Sequence, residues 1–349
     1  MIGIPMDSAG KPLIIPVFIP HSGCPHQCAF CNQTIITSQK PNLPDKTAIR
    51  RIVAEYYPYK GKRESVELAF FGGNFLGLDS ENIIQLLDLI QPYIQEKKID
   101  GIRFSTRPDT ITQPMLDLIR PYSISAVELG VQSMNETILL KTKRGHTGRD
   151  TINAIGLLKK YSFKIGVQVM VGLPDDTESL LLKSTKKMAQ LAPDFARIYP
   201  LMILKNSLME QWYKKGSYQP LSLEESIHLV KKMYHIFTAA NVKVIRMGLQ
   251  ASDIMEDKSM VLAGPWHPAF GHLVFSEILY DTACNKIDQC RNLIKSETLV
   301  LKVHPKTESR LRGDKNTNFK KLNLRYPEFN FSVCLDKTIP IGRIDIGRA

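Results

Sequence analysis

From Leu13 to about residue 250, short apolar runs alternate with longer amphipathic stretches, and this alternation restricts the fold more than any other feature. The runs Leu13–Ile19, Val66–Phe71, Ile102–Ser105, Ala126–Val131, Ile165–Val171 and Ala196–Met202 are rich in Val, Ile and aromatics. Strands buried on both faces of a parallel sheet require that composition. Between them lie helical patterns, at Glu81–Lys97, Thr151–Lys160, Glu178–Leu191 and Leu223–Ala239. Strand and helix in repeated alternation predict βαβ units. Polar or glycine-bearing motifs follow the strands: HSGC, GGN, TRPD, QSMN and GLPDD. In barrel-like α/β folds the carboxyl ends of the strands carry the site, so the recurrence predicts one shared mouth. The expected fold is α/β, a partial or complete parallel βα barrel over residues 1–250. A basic C-terminal accessory domain or extension is expected over 251–349.

A chain of 349 residues can bury about three quarters of its unfolded surface. With 43% hydrophobic and 23% charged residues, it is excluded from the disordered, collagen-like and disulfide-scaffold classes. The first twenty residues lack a basic start followed by an apolar core, and Pro5, Pro12, Pro16 and Pro20 punctuate them. No stretch approaches the roughly 18 apolar residues of a membrane span. A cytoplasmic enzyme with no membrane partner is the expectation. Lys and Arg number 46 against 34 acidic residues, an excess of 12. Such an excess suits a polyanionic partner such as nucleic acid, or solubility alone.

Of six cysteines, Cys24, Cys28 and Cys31 crowd into eight residues, whereas Cys284, Cys290 and Cys334 are scattered. In a chain of this class a tight group points to metal or redox chemistry before disulfides. Three thiolates at spacings of four and three can wrap one face of an iron–sulfur cube, leaving one iron open. Zinc held with His21 or His26, and plain structural thiols, remain alternatives at this level. Cys284, Cys290 and Cys334 lack the tight pairing of a second cluster.

The segment Cys24-x3-Cys28-x2-Cys31, with Phe30 before the last cysteine, resembles the signature of radical S-adenosylmethionine (SAM) enzymes. The resemblance implies a [4Fe–4S] cluster on the three cysteines and SAM on the open iron. Reductive cleavage of SAM then gives a 5′-deoxyadenosyl radical that abstracts hydrogen from a substrate. It also implies an electron donor such as flavodoxin or ferredoxin. Phe70-Phe71-Gly72-Gly73-Asn74 resembles the glycine motif whose backbone meets the methionine amino group, with Asn74 where many members carry Glu. Gln132 and Arg144 resemble SAM contacts of oxygen-independent coproporphyrinogen oxidases, and the fork of Arg144 suits a methionine carboxylate. Gln168, in Gln168-Val-Met-Val-Gly172-Leu-Pro174, stands where that family has Asp near the ribose.

Residues 197–218, from Arg197-Ile-Tyr199-Pro200 through Lys205 to Tyr218, resemble the catalytic subunit of the Elongator complex, which attaches an acetyl-derived group to a wobble uridine of transfer RNA. That resemblance covers roughly residues 13–250. About 100 residues remain after 250, with no glycine-rich pyrophosphate loop, so its acetyltransferase domain is expected to be absent. A transfer RNA nucleoside is the expected substrate. A small molecule such as a tetrapyrrole, or a non-catalytic cluster- or haem-binding role, stands as the alternative. Tyr199 and Lys205 are the candidate catalytic residues on the substrate side, with Arg246, Trp266 and His267 as further candidates for substrate contact. The basic run Lys302, Lys306, Arg310, Arg312, Lys315, Lys320, Lys321 and Arg325 either tracks phosphates or forms a solvated face. Asp175-Asp176 is read as a cap for the following helix. No phosphate-binding P-loop, zinc helix or nucleophile elbow competes with the cysteines.

Overall fold

The computed structural model describes residues 12–19, 23–24, 28–32, 43–249, 260–291 and 298–348. Each predicted run forms a strand: β1 (Leu13–Phe18), β2 (Val66–Phe71), β3 (Gly101–Thr106), β4 (Ile124–Gln132), β5 (Lys164–Val171) and β6 (Phe195–Pro200). The short β7 (Ile203–Leu204) leaves the sheet, and β8 (Lys243–Met247) rejoins it. The sheet order is β1-β2-β3-β4-β5-β6-β8, with every pairing parallel. Because spatial order follows chain order, each crossover steps the same way and the helices collect on one face. Seven parallel strands curl into a half-barrel, as the alternation predicted.

Residue alternation along the strands divides the two faces. Leu68, Phe70, Ile102, Phe104, Val127, Leu129, Val167, Val169, Ala196 and Ile198 join the main core beneath the helices. Their neighbours Glu67, Arg103, Glu128, Gln168 and Arg197 therefore face the concave side. Where one uninterrupted helix is expected at 81–97, the chain forms Ser80–Asp88 and then Gln91–Gln95. Pro92 supplies no N–H and breaks the helical ladder there.

Beyond β8, the strand β9 (Val261–Ala263) pairs antiparallel with β7. A 21-residue helix, Phe270–Cys290, comes next. It packs against the helix Leu223–Ala239, and its Ile278, Leu279 and Ile287 lie in the same core as the barrel. A second sheet of β10 (Thr298–Val303), β11 (Asn330–Leu335) and β12 (Ile344–Arg348) adds Leu299, Leu301, Val303 and Ile344 to that core. Much of the predicted basic run is tied down locally. Lys321 pairs with Glu277 at 2.9 Å, Arg325 with Asp288 at 3.0 Å and Arg312 with Glu308 at 2.9 Å. The scattered cysteines remain apart in character: Cys284 is buried, Cys290 bonds the Lys286 carbonyl at 3.0 Å and Cys334 is exposed. Among the described residues, no helix is long and apolar enough to cross a membrane.

Phe70, Phe75 and Phe104 are fully buried and stacked, with ring centroids 5.0 and 4.6 Å apart. Phe104→Ala removes the end ring of this stack from a filled space. We expect a loss of about 3–5 kcal/mol, read as a lower midpoint in urea unfolding.

Candidate active site at the carboxyl rim of the sheet

The three cysteines come after β1, at the rim where all seven strands end. Among the described residues, no three His, Cys, Asp or Glu side chains are drawn into one metal-binding group. The cysteine loop is nevertheless fixed from several sides. Ala29 N–H donates to the Thr142 carbonyl at 2.9 Å, and Met209 N–H donates to the Ala29 carbonyl at 3.0 Å. Asn32 Nδ2 donates to the Lys205 carbonyl at 2.7 Å. Phe30 packs on an apolar patch of Ala29, Ile138, Leu173, Leu201, Ile203 and Met209. These contacts anchor the loop to segments after β4 and β6.

Asn74 performs the same service from β2. Its amide Nδ2 donates to the Gly23 carbonyl at 2.7 Å, one residue before Cys24. Its Oδ1 accepts from Thr106 Oγ1 at 2.8 Å, Arg107 N–H at 2.9 Å and Thr110 Oγ1 at 3.1 Å. With only 1% of its surface exposed, this side chain is spent on joining β3 to the cysteine loop. The close approach requires glycine at Gly23, where φ is +83° and a Cβ would fall 2.5 Å from the Asn74 carbonyl oxygen. Gly72, at φ +91°, makes the turn, and Gly73 leads from it into Asn74.

Arg144 is the pivot at β4. Its Nη2 donates to the Gly130 carbonyl at 2.6 Å, and its Nη1 donates to Cys28 Sγ at 3.2 Å. A Cβ at Gly130 would lie 2.7 Å from Nη2, so only glycine lets the guanidinium lie across the strand. The chain bulges between Gly130 and Gln132, and Gln132 adopts φ +65°. Around this point several buried polar atoms have no hydrogen-bond partner among the described residues: Arg144 Nε, Gln132 Oε1, Arg107 Nη1 and His146 Nδ1. Such a concentration of unmet polar atoms marks a place where a polar ligand completes the bonding. Burial, then the charges of Arg144 and Arg107, hold His146 down to about 3, so it is neutral at ordinary pH.

Gln168 does not reach this group. Its Nε2 donates to Ser105 Oγ at 3.0 Å and to Glu128 Oε2 at 3.1 Å. Glu128 is fully buried and lies between Arg197, with Nε at 2.7 Å, and Arg103 at 3.6 Å. Arg103 continues to Glu67 at 3.0 Å. Several of these are ion pairs by distance that lack straight N–H···O alignment. Tyr199 is raised by burial, and the nearby positive charges of Arg197 and Arg246 oppose the shift. Lys205 presents an exposed side chain and serves the rim through its backbone. Trp266 and His267 lie before the helix Phe270–Cys290, where His267 Nδ1 accepts from Ala269 N–H.

Sequence models of known families decide the assignment. One described as the radical SAM superfamily matches residues 18–187, and the radical SAM C-terminal domain matches 193–279. The chain belongs to the radical SAM superfamily. Its members are enzymes that use a [4Fe–4S] cluster and SAM, and these are the cofactors of this chain. A tRNA uridine(34) acetyltransferase of Dehalococcoides mccartyi is 26% identical over 230 residues, covering 56% of this chain and 50% of the relative. Elongator complex protein 3 of Saccharomyces cerevisiae is 26% identical over 274 residues, covering 66% and 49%. The chain thus matches about half the length of each of these relatives. The structure of an archaeal Elp3 from Methanocaldococcus infernus superposes with TM-score 0.63 at 21% identity, covering 78% of this chain and 63% of that one. That likeness shows a shared fold.

The donor set fits such a cluster in chemistry: three thiols on one tethered loop, with an arginine already donating to one sulfur. Glu67, Arg103, Glu128 and His146 are not among the residues expected at the site. The TRPD motif did signal Arg107, whose Nε and Nη2 grip Asp109 at 2.9 and 2.8 Å. The expectation that Asp175-Asp176 caps the next helix is corrected. Thr177 is the cap, accepting from Leu180 N–H, while Asp175 pairs with Lys141.

Asp176 keeps both carboxylate oxygens buried without a partner among the described residues, and burial pushes its pKa up from 3.8 to about 7. The folded protein therefore binds more protons than the unfolded chain between those values, and stability falls as pH rises through that window. Asp176→Asn is expected to exceed the wild type in stability at pH 8 by on the order of 2–4 kcal/mol. The advantage disappears below pH 4, as unfolding curves at both pH values will show. Asn74→Ala is expected to cost about 3 kcal/mol by stranding buried Thr106, Arg107 and Gly23 groups. It also lowers the iron retained after anaerobic reconstitution.

Proposed function

We propose that this chain is a radical SAM enzyme acting on a nucleoside of transfer RNA. The observation that carries the radical half is Arg144, which links the rim of β4 to Cys28 while its Nε has no partner among the described residues. In this reading Cys24, Cys28 and Cys31 are the cluster ligands. A cluster held there would supply the electron for reductive SAM cleavage, the chemistry that opens the way to hydrogen abstraction from a substrate. The chain's own residues bind, orient and exclude water. Arg144 pairs with the methionine carboxylate and Gln132 accepts from the same ligand. The backbone of Gly72 and Gly73 approaches the amino group, with Asn74 holding the loop behind them. Gln168 faces the sugar from the concave wall, Phe30 closes the apolar side, and Tyr199 and Lys205 serve the substrate.

The nucleoside half rests on the Dehalococcoides mccartyi relative, whose name specifies transfer RNA uridine, and on the formal charge of +12. Residues 1–250 are assigned to the radical chemistry and 251–349 to an accessory unit. A flavodoxin or ferredoxin is the assigned electron donor.

The test is 5′-deoxyadenosine formed by the reconstituted, reduced full chain with and without bulk transfer RNA. Product that rises with RNA and disappears in Cys28→Ala is the expected result. Cleavage indifferent to RNA transfers the chemistry to a small molecule. Absence of cleavage under all conditions would refute turnover.

A further inference from the structure

At the last strand of the sheet, a cavity of about 360 Å³ opens beside the carboxyl end of β8. Its wall includes Arg246, Gly248, Gly271, His272, Phe275 and Arg310. Three of these six residues, Arg246, His272 and Arg310, are basic, and among the described residues no carboxylate lines the cavity. They come from three separate elements: β8, the first turn of the helix Phe270–Cys290, and the short helix Glu308–Arg312.

Arg310 is the informative member. Its guanidinium carbon lies 4.4 Å from the centroid of the Phe275 ring, and its Nη1 is buried with no acceptor among the described residues. Neighbours in the basic run are neutralised by Glu277, Asp288 and Glu308, yet Arg310 has no ion-pair partner among the described residues. Arg246 likewise has no such partner there. The helix Phe270–Cys290 begins without a side-chain cap, so its first-turn amides add positive potential. Asp314 acts on His272 from the neighbouring turn but does not line the cavity. A buried guanidinium N–H without an acceptor among the described residues, in a cavity that a second arginine also lines, calls for an anion with several acceptor oxygens.

We propose that this cavity is a phosphate site, formed by Arg246, Arg310 and the first turn of the helix Phe270–Cys290. Its place gives it a task. The parallel sheet puts the carboxyl ends of β1 and β8 on one rim, as the two lips of the half-barrel's opening. Arg246 pairs in register with Arg197, whose partner Glu128 belongs to the concave wall. A phosphate held at the β8 lip directs the attached nucleoside toward the concave face. For an RNA backbone phosphate this deepens, and rests on, the proposed substrate. A small phosphorylated molecule presents the same chemistry.

The experiment uses the full chain with its cluster oxidised, so binding is read separately from SAM cleavage. A labelled single-stranded RNA octamer is titrated at several salt concentrations, and inorganic phosphate is tested by its shift of the thermal midpoint. Arg310→Gln and Arg246→Gln are each expected to weaken RNA binding about tenfold. Each should also reduce the slope of log affinity against log salt by about one. Arg310→Lys should recover much of the slope, and Arg312→Gln, whose partner is Glu308, should leave it intact. Loss of the inorganic-phosphate shift in Arg310→Gln, with RNA binding unaltered, assigns the site to a small phosphorylated ligand. Wild-type RNA binding and an unchanged phosphate response in both glutamine variants overturn the site. RNA-independent SAM cleavage would remove the proposed substrate while leaving this measurement standing.

Discussion

Glu128 is the charge on which the concave face is organised. A fully buried carboxylate on the central strand is costly unless paired, and two guanidiniums and an amide converge on it. Arg103 approaches from β3, Arg197 from β6 and Gln168 from β5, so one residue couples four of the seven strands. The arrangement leaves a polar wall inside a half-barrel whose outer face is largely apolar. Such a wall can receive a polar substrate without first shedding an oily lining. The apolar face, in contrast, has no task beyond holding helices.

Around the rim, backbone and amide contacts fasten the cysteine loop to β2, β4 and β6. Asn74 grips Gly23, Thr142 receives Ala29, and the Lys205 carbonyl receives Asn32. These ties come from segments far apart in sequence, so the loop's position reports on closure of the sheet as a whole. Preorganisation of this kind is what a site needs if a reactive species is to meet one atom and no other.

The strands were legible because each is a short apolar run, and the cysteines because their spacing is distinctive. Arg144 could be named from a motif, yet its contact with Cys28 depends on a fold that brings residues 116 apart together. The concave network escaped notice for a physical reason. Glu67, Arg103 and Arg197 interrupt apolar runs singly, and one charge in a strand looks like solvent exposure until the partner strand is known. The long helix Phe270–Cys290 was obscured by glycine, histidine and polar residues spread around its circumference, leaving no clean amphipathic stripe. The motif position of Asn74 points to a ligand contact and carries no sign of the three hydrogen bonds that its oxygen accepts in the fold.

The sharing of one core between the barrel and the second sheet has a further implication. Val230, Met233 and Phe237 beneath the barrel lie in the same apolar mass as Ile278, Leu301 and Leu322. The segment from the helix Phe270–Cys290 onward is thus mortared into the wall behind β6 and β8. Lineages that exchange the segment after the barrel must therefore supply a replacement for that apolar mass along with any new chemistry.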